Sequence, residues 1–510
     1  MNEPARKRIR WTGLAVLVLA TAAALLWVRR SAASGQERSI ASYVIGCVAL
    51  LLLLAWLLWG AGLGRRGRLV VLGLCAGASV AVAASVRIVG VTGDFRPVLA
   101  WRWSGVEEAE PVAKADAPRA IRGEFPQFLG PRRDGSVADP GLSRDWSAQP
   151  PVEVWRRGVG EGWSGFAVAG GVAVTQEQHG EREEVIAYDV ETGRSLWRHS
   201  DRARYATTIA GVGPRATPTI ADGVAFTHGA TGLVNALDVG TGELLWQRHP
   251  ASEVGAPDPE WGRSASPLVV GGKVVLPVGG PGALLVALAA ADGSTVWTAA
   301  DERVGYSSPV LLELAGHPQI VSFNAASVTG HDPASGALLW RQPFPSNQPN
   351  VAIPLALGGD RLLVSAGYGV GSKALRIEPG ERGRLGVRLL WESPRLKAKF
   401  TNPVRHGGAV FGLDDGRLVC LDPETGERLW RGGRYGHGQT LLAGDLLLVQ
   451  AESGEVALVA SDPGEFRELG RFRAFGGKTW NPPALIGRHL LLRTDSEAAL
   501  FALPLAAGPL

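Results

Sequence analysis

An all-β protein built as an eight-bladed β-propeller, preceded by three transmembrane α-helices, is the fold class predicted by this chain of 510 residues. Three observations predict it. A unit of the form Ala-x-Asp-x-x-Thr-Gly-x-x-x-Trp returns at spacings of 39 to 51 residues beyond residue 180. Three apolar runs without a charge stand within the first 86 residues. Gly 68 and Trp 17 are both high, as many short strands joined by tight turns require.

The apolar runs cover about 12–28, 41–63 and 69–86. Each is long enough to cross a hydrocarbon core of about 30 Å at about 1.5 Å per residue. Arg6, Lys7, Arg8 and Arg10 precede the first run, and Arg65, Arg66 and Arg68 lie between the second and third. Only Arg29, Arg30 and Arg38 lie between the first and second. This basic bias predicts a cytoplasmic N-terminus and a third span that exits to the far side. A cleaved first segment, suggested by the small residues of "RRSAASG", leaves that exit side unchanged. The expectation is therefore a multi-pass protein of a bacterial inner membrane, with everything after Arg87 periplasmic. The anchor is 1–93. Trp101 and Trp103 belong either to the membrane interface, where aromatic rings settle, or to the linker over 94–124. The charged, alanine-rich stretch "EEAEPVAKADAPRAIRGE" reads as a tether within that linker.

The propeller is placed over 125–510. "AYDVETGRSLW", "ALDVGTGELLW", "ALAAADGSTVW", "GHDPASGALLW" and "CLDPETGERLW" end at Trp197, Trp246, Trp297, Trp340 and Trp430. A stretched copy ends at Trp391, and a degraded one has Leu469 where the indole belongs. Such a period marks a propeller or array. In the third unit, "SASPLVVGG", "KVVLPVGG", "LLVALAAADG" and "STVWTA" read as four antiparallel strands. Asp189, Asp238 and Asp422 suit turns in which a carboxylate accepts from N–H groups two or three residues on. Gly193, Gly242 and Gly426 suit a positive φ in the same turns. The indole is expected in the outermost strand, wedged against the next blade, where full burial is worth at most about 5 kcal/mol. Trp155 stands 42 residues before Trp197 in "PVEVWRRG", a fourth strand without its first three. The last thirty residues offer three strands without a fourth. Pairing 152–157 with them closes the ring at eight blades, with seven as the alternative count, and removes the open edges.

The Trp-ending repeat resembles that of the pyrroloquinoline-quinone (PQQ) propellers. This superfamily holds the eight-bladed quinoprotein dehydrogenases and a non-enzymatic branch typified by the envelope lipoprotein BamB. "FPQFLGPRRDG" is similar to a bacterial subgroup of PQQ-like repeat proteins. In the dehydrogenases, the resemblance implies a quinone held between a tryptophan and a disulfide of adjacent cysteines, a calcium ion and an aspartate base. This chain has Cys 3, none adjacent: Cys47 and Cys75 fall in the apolar runs, and Cys420 reads as a small apolar strand residue. No position matches the calcium ligands or the base. No catalytic or metal-binding residue is therefore assigned. The nine histidines are scattered, none stands at metal-ligand spacing from another, and most are expected to be exposed. "GVGEGWSG" lacks the lysine and helix of a phosphate loop and reads as a blade connection. Net charge is only +4, with no dense basic tract, so a nucleic-acid partner is not expected.

A ligand would enter where loops lead into the innermost strands. Trp163, Arg215, Arg263, Tyr306, Asn350, Asn402, His437, Trp480 and Asn481 stand there. They read either as a mouth for a flat anion or peptide, or as funnel filling behind Thr217-Pro218, Ser266-Pro267 and Ser308-Pro309. The reading is a non-catalytic binding or scaffolding module for envelope proteins or peptides, needing no cofactor. The alternative is a membrane-bound PQQ- and calcium-dependent alcohol or sugar dehydrogenase.

Overall fold

The structure, a computed structural model, describes residues 11–103 except 33, residues 121–380 except 122, and residues 385–506. It divides into a unit over 1–106 and a unit over 107–510.

In the first unit, α1 (Trp11–Ser31), α2 (Gly35–Ala55) and α3 (Arg65–Ser85) are long and apolar enough to cross a membrane. The helices overrun the apolar runs because Arg29, Arg30, Glu37 and Arg38 continue the helical hydrogen bonding past the charge-free stretch. Ser34 caps α2 by accepting from the Glu37 N–H at 3.1 Å. One π-helical turn, Trp56–Gly60, extends α2. A hairpin, β1 (Val86–Val91) against β2 (Pro97–Trp101), spans the expected boundary between anchor and linker. The expected tether over 107–124 lies mostly outside the described residues.

The second unit contains, among the described residues, eight antiparallel sheets of four strands, one of them extended by a fifth. Seven follow the chain at 167–201, 219–248, 268–299, 310–343, 355–393, 404–432 and 439–473. The eighth combines three strands over 484–502 with Val152–Gly158, Val152 standing opposite Ala502 and Trp155 opposite Leu500. The predicted closing strand is thus paired as expected. The four strands of the third sheet also fall on the four predicted segments.

The repeat chemistry is visible atom by atom. Asp189 Oδ1 accepts from the Glu191 and Thr192 N–H groups at 3.1 and 3.0 Å, and Asp238 Oδ1 from Gly240 and Thr241 at 3.0 and 2.8 Å. Gly193, Gly242 and Gly426 have φ of 69°, 75° and 70°. A Cβ at Gly242 would lie 2.5 Å from the Trp197 ring, so the glycine admits the indole of the preceding blade as well as the turn. Trp155, Trp197, Trp246, Trp391 and Trp430 donate their indole N–H to a carbonyl of the following blade at 2.7 to 2.9 Å. Trp297 packs over Gly336 without such an acceptor. Trp340 departs from the pattern and donates to Gln319 of its own blade at 2.5 Å, because the stretched fifth copy offers no Asp-x-x-Thr-Gly turn.

Beside Leu469 stands an indole from outside the repeats. Trp146, from the segment ahead of the repeats, is buried over Gly470 and lies edge-on to Phe472 at 5.6 Å. The rest of that segment crosses the far end of the innermost strands. Phe125 bridges Val168, and Ser136–Val137 adds a parallel strand beside Leu442 and Ala443. Arg133 is buried and donates to the carbonyls of Pro309 (2.9 Å), Pro267 (2.9 Å) and Ser266 (2.6 Å). The "FPQFLGPRRDG" stretch therefore ties several blades together at their inner strands.

Candidate functional site

Around the channel the blades are tied by side chains standing just ahead of the innermost strands. Thr217 Oγ1 accepts from the Gly165 N–H, Ser266 Oγ from Thr217 and Ser308 Oγ from Ser266, at 3.2, 2.9 and 2.9 Å. Asn402 Oδ1 accepts from Ile353 at 2.9 Å, while Asn481 Nδ2 donates to Ser164 O at 2.8 Å and Gly162 O at 3.1 Å. Asn350 Nδ2 likewise donates to Asn324 O at 2.7 Å. Each residue is buried, so the hydroxyls and amides pair strand-end groups that the parallel meeting of inner strands leaves open.

This belt corrects half of the expected mouth. Asn350, Asn402 and Asn481 are buried and spend an amide N–H or oxygen on a neighbouring blade. Arg263 is buried and donates to Val278 O at 2.8 Å and Pro257 O at 3.2 Å. His437 is buried beneath Phe400, its backbone N–H donating to Glu452 Oε2 at 3.2 Å. Sequence reasoning erred because a polar residue before an inner strand has carbonyls of the neighbouring blade within reach. Histidine exposure was also misjudged: His228, His331 and His437 are buried, and of the nine only His317 is exposed.

At the expected mouth, Trp163, Tyr306 and Trp480 enter one chain of rings with residues the sequence did not single out, while Arg215 lies over Tyr205. Rings run across it in sequence: Tyr306 stacks on Trp261 (5.7 Å, 26°), Trp261 meets Tyr368 (6.3 Å), Tyr368 meets Phe400 (6.3 Å), Phe400 meets Trp480 (5.1 Å), and Trp480 meets Trp163 (4.9 Å). Trp163 is buried and the other five are half-buried. Trp163 is fixed by donation to Ala210 O at 2.8 Å, and Trp480 by donation to Glu452 Oε1 at 2.8 Å. Trp261, Phe400 and Lys478 occupy the same loop position that selected Tyr306 and Trp480, which is the signal that would have found them. Tyr368 lies in a turn between the second and third strands of its blade, where the repeat gives no cue.

Cations lie on these rings. Lys478 Nζ is 3.9 Å from the centroid of Trp480 and 4.5 Å from that of Trp163. Lys399 Nζ is 4.4 Å from Tyr368, and the Arg215 guanidinium is 4.4 Å from a further ring, Tyr205. Burial lowers the Lys478 pKa and holds Arg215 down at about 10, while it raises Tyr306 and Tyr368. Beside this arc, a cleft of about 480 Å³ is lined by Asp258, Glu260, Trp261, Arg303, Tyr306 and Asn347 among others. The chemistry available is apolar stacking plus cation pairing over an extended, shallow floor.

These residues do not fit a PQQ–calcium centre. The indole faces that would carry a quinone already carry the Lys478 ammonium. Among the described residues no three carboxylate, histidine or cysteine side chains group as metal ligands. Cys420 is buried in a strand, with its thiol pushed up to about 12 by desolvation.

Circularly arranged four-stranded sheets, pinned by indoles and closed by a strand from the front of the repeats, define a PQQ-like propeller. The chain belongs to the family described as outer membrane protein assembly factor BamB, whose profile matches residues 152–280 and 181–432. The BamB of Yersinia pestis is 23% identical over 367 residues, 66% of this chain and 84% of that protein. That of Burkholderia pseudomallei (strain K96243) is 25% identical over 361 residues, covering 67% and 85%. The dehydrogenase subunit of the alcohol dehydrogenase (quinone) of Acetobacter aceti is 28% identical over 257 residues, 44% of this chain but only 33% of that protein. Among solved structures, BamB from Moraxella catarrhalis superposes with a TM-score of 0.52 at 18% identity, over 69% of this chain and 100% of its own. Quinohemoprotein alcohol dehydrogenase from Comamonas testosteroni gives 0.52 at 12% identity, over 77% and 82%. At such identities the superpositions speak to fold alone.

Proposed function

We propose that this protein is a membrane-anchored binding or scaffolding module of the bacterial envelope, without catalytic activity of its own. The three helices hold it in the inner membrane with the propeller on the periplasmic side, and the aromatic mouth engages an extended segment of an envelope protein. The observation that carries this reading is the ring floor from Tyr306 to Trp163, whose faces are taken by Lys399 and Lys478. Such a floor suits acidic side chains, which the lysines can pair, and aliphatic or proline side chains on the rings that carry no cation. A non-catalytic propeller scaffold is also consistent with kinship to an assembly factor.

A photo-crosslinking residue at Phe400 is expected to yield a discrete protein adduct in cells, lost when Trp480→Ala is combined with Lys478→Ala. The same probe at Arg144, outside the mouth, is expected to yield none. Alcohol turnover by the purified chain given PQQ and calcium would refute the reading. That outcome would favour a membrane-bound quinoprotein dehydrogenase, the second reading, which the match to the Acetobacter aceti subunit keeps in view.

A further inference from the structure

The hairpin that follows α3 has two unlike faces. Its register sets Val86 opposite Trp101, Ile88 opposite Leu99, and Arg87 opposite Ala100. Side chains alternate along a strand, so Val86, Ile88, Leu99 and Trp101 share one face and Arg87 takes the other. Much of the apolar face is open: Ile88 is 63% exposed, Leu99 61% and Trp101 57%, while Val86 is half-buried. Trp103, 69% exposed, stacks on Trp101 with centroids 5.3 Å apart.

The hairpin is tied to helix ends at both of its own ends. β1 begins at the residue after α3 stops, and Arg102 Nε donates back to Ala83 O at 2.8 Å. At the turn, Asp94 is buried against Gly35, the first residue of α2, where a Cβ would overlap its carboxylate. The end of α3 and the start of α2 are the two points at which these helices leave the apolar core on one side. The hairpin is thereby held at the depth of the membrane surface. Two strands alone are marginal in water, and their open edges need polar partners that hydrocarbon cannot supply. The headgroup–acyl boundary meets both requirements.

We propose that Val86–Trp103 is an interfacial anchor, seated in the leaflet surface on the side where α3 ends. Val86, Ile88, Leu99, Trp101 and Trp103 face lipid, and the exposed Arg87 and Arg96 face headgroup phosphates. The proposal rests on the membrane reading of the three helices given above.

The test uses the full chain in nanodiscs of phosphatidylcholine and phosphatidylglycerol, with its own cysteines replaced. Spin labels are placed singly at Arg87→Cys, Ile88→Cys, Leu99→Cys and Ala100→Cys, with Leu51→Cys in α2 as a control. Collisions with oxygen and with a water-soluble nickel chelate are compared. The ratio of oxygen to nickel collisions is expected to be several-fold higher at 88 and 99 than at 87 and 100. The doubly labelled Ile88→Cys/Leu99→Cys chain is expected to show dipolar broadening, because the two sites are cross-strand neighbours, and its absence would overturn the hairpin itself. Equal nickel access at all four sites with a lipid-buried label at 51 would overturn the anchor and leave the spans standing. Nickel access at 51 as well would overturn the membrane reading. Labels at 88 and 99 shielded from both reagents would overturn the proposal in favour of a protein cover.

Discussion

Replacing Trp146 tests whether an indole from outside the repeats has taken over the place left by Leu469. Trp146 is buried over Gly470, and removing a buried tryptophan side chain costs about 3–5 kcal/mol through lost contacts and the cavity left behind. Trp146→Ala should therefore lower stability by about as much as Trp197→Ala, although only Trp197 belongs to a repeat. The phenylalanine variants separate the two sites. Trp197 donates to Val239 O at 2.7 Å, so Trp197→Phe loses a hydrogen bond worth about 1 kcal/mol and leaves a buried carbonyl short of a donor. Among the described residues, the buried Trp146 indole N–H has no partner. Trp146→Phe removes that orphan, a gain of about 1–3 kcal/mol that offsets the smaller ring and leaves the change within about 1 kcal/mol of zero. The assay is urea unfolding of the full chain in detergent, followed by tryptophan fluorescence and far-ultraviolet circular dichroism, with midpoints compared at constant slope. A Trp146→Ala variant within 1 kcal/mol (roughly a five-fold change in equilibrium constant) of wild type would refute the substitution of one indole for another. So would a Trp146→Phe cost larger than that of Trp197→Phe.

Further outcomes follow from single sites. Gly426→Val should collapse the yield of folded protein, because φ is 70° there and a Cβ would lie 2.5 Å from the Trp391 ring; soluble, protease-resistant protein is the readout. Arg133→Met leaves the carbonyls of Ser266, Pro267 and Pro309 without their donor and should lower stability by about 3 kcal/mol or more in the same urea assay. Glu183 is buried against the Ala230 N–H, and desolvation raises its pKa to about 7, above the usual carboxylate range. A carboxyl held protonated in the fold loses stability as pH rises from its unfolded pKa through about 7. Glu183→Gln should therefore match wild type near pH 4.5 and exceed it by about 3 kcal/mol at pH 8, measured as the difference in urea midpoints across pH. A constant difference would show that the carboxyl does not titrate in this range.

Strand order and ring closure were legible in the chain because each repeat carries its own turn chemistry. Asp189 and Gly193 dictate the turn locally, and Trp197 needs only a glycine after the third strand of the next copy. The mouth was legible only in part. Position in the repeat selected the loops correctly. Whether a polar side chain there faces solvent or a neighbouring blade depends on distances between inner strands that no periodicity states. Asn402, Asn481 and Arg263 fell on the buried side for that reason, and Trp261, Tyr368 and Phe400 on the open side.

The sequence by itself determined the class of architecture, the apolar helices ahead of it, the joining of Val152–Gly158 to the final strands and the lack of a paired-cysteine quinone clamp. Each of these follows from residues that are neighbours in the chain or equivalents in its repeats. Only the tertiary structure decided that Trp146 packs beside the strand lacking its indole, that Arg133 ties two blades together, and that two lysines lie on a continuous floor of rings. Those contacts join segments tens to hundreds of residues apart. Their energies come from desolvation and close approach, which exist only once the ring of sheets has brought the segments together.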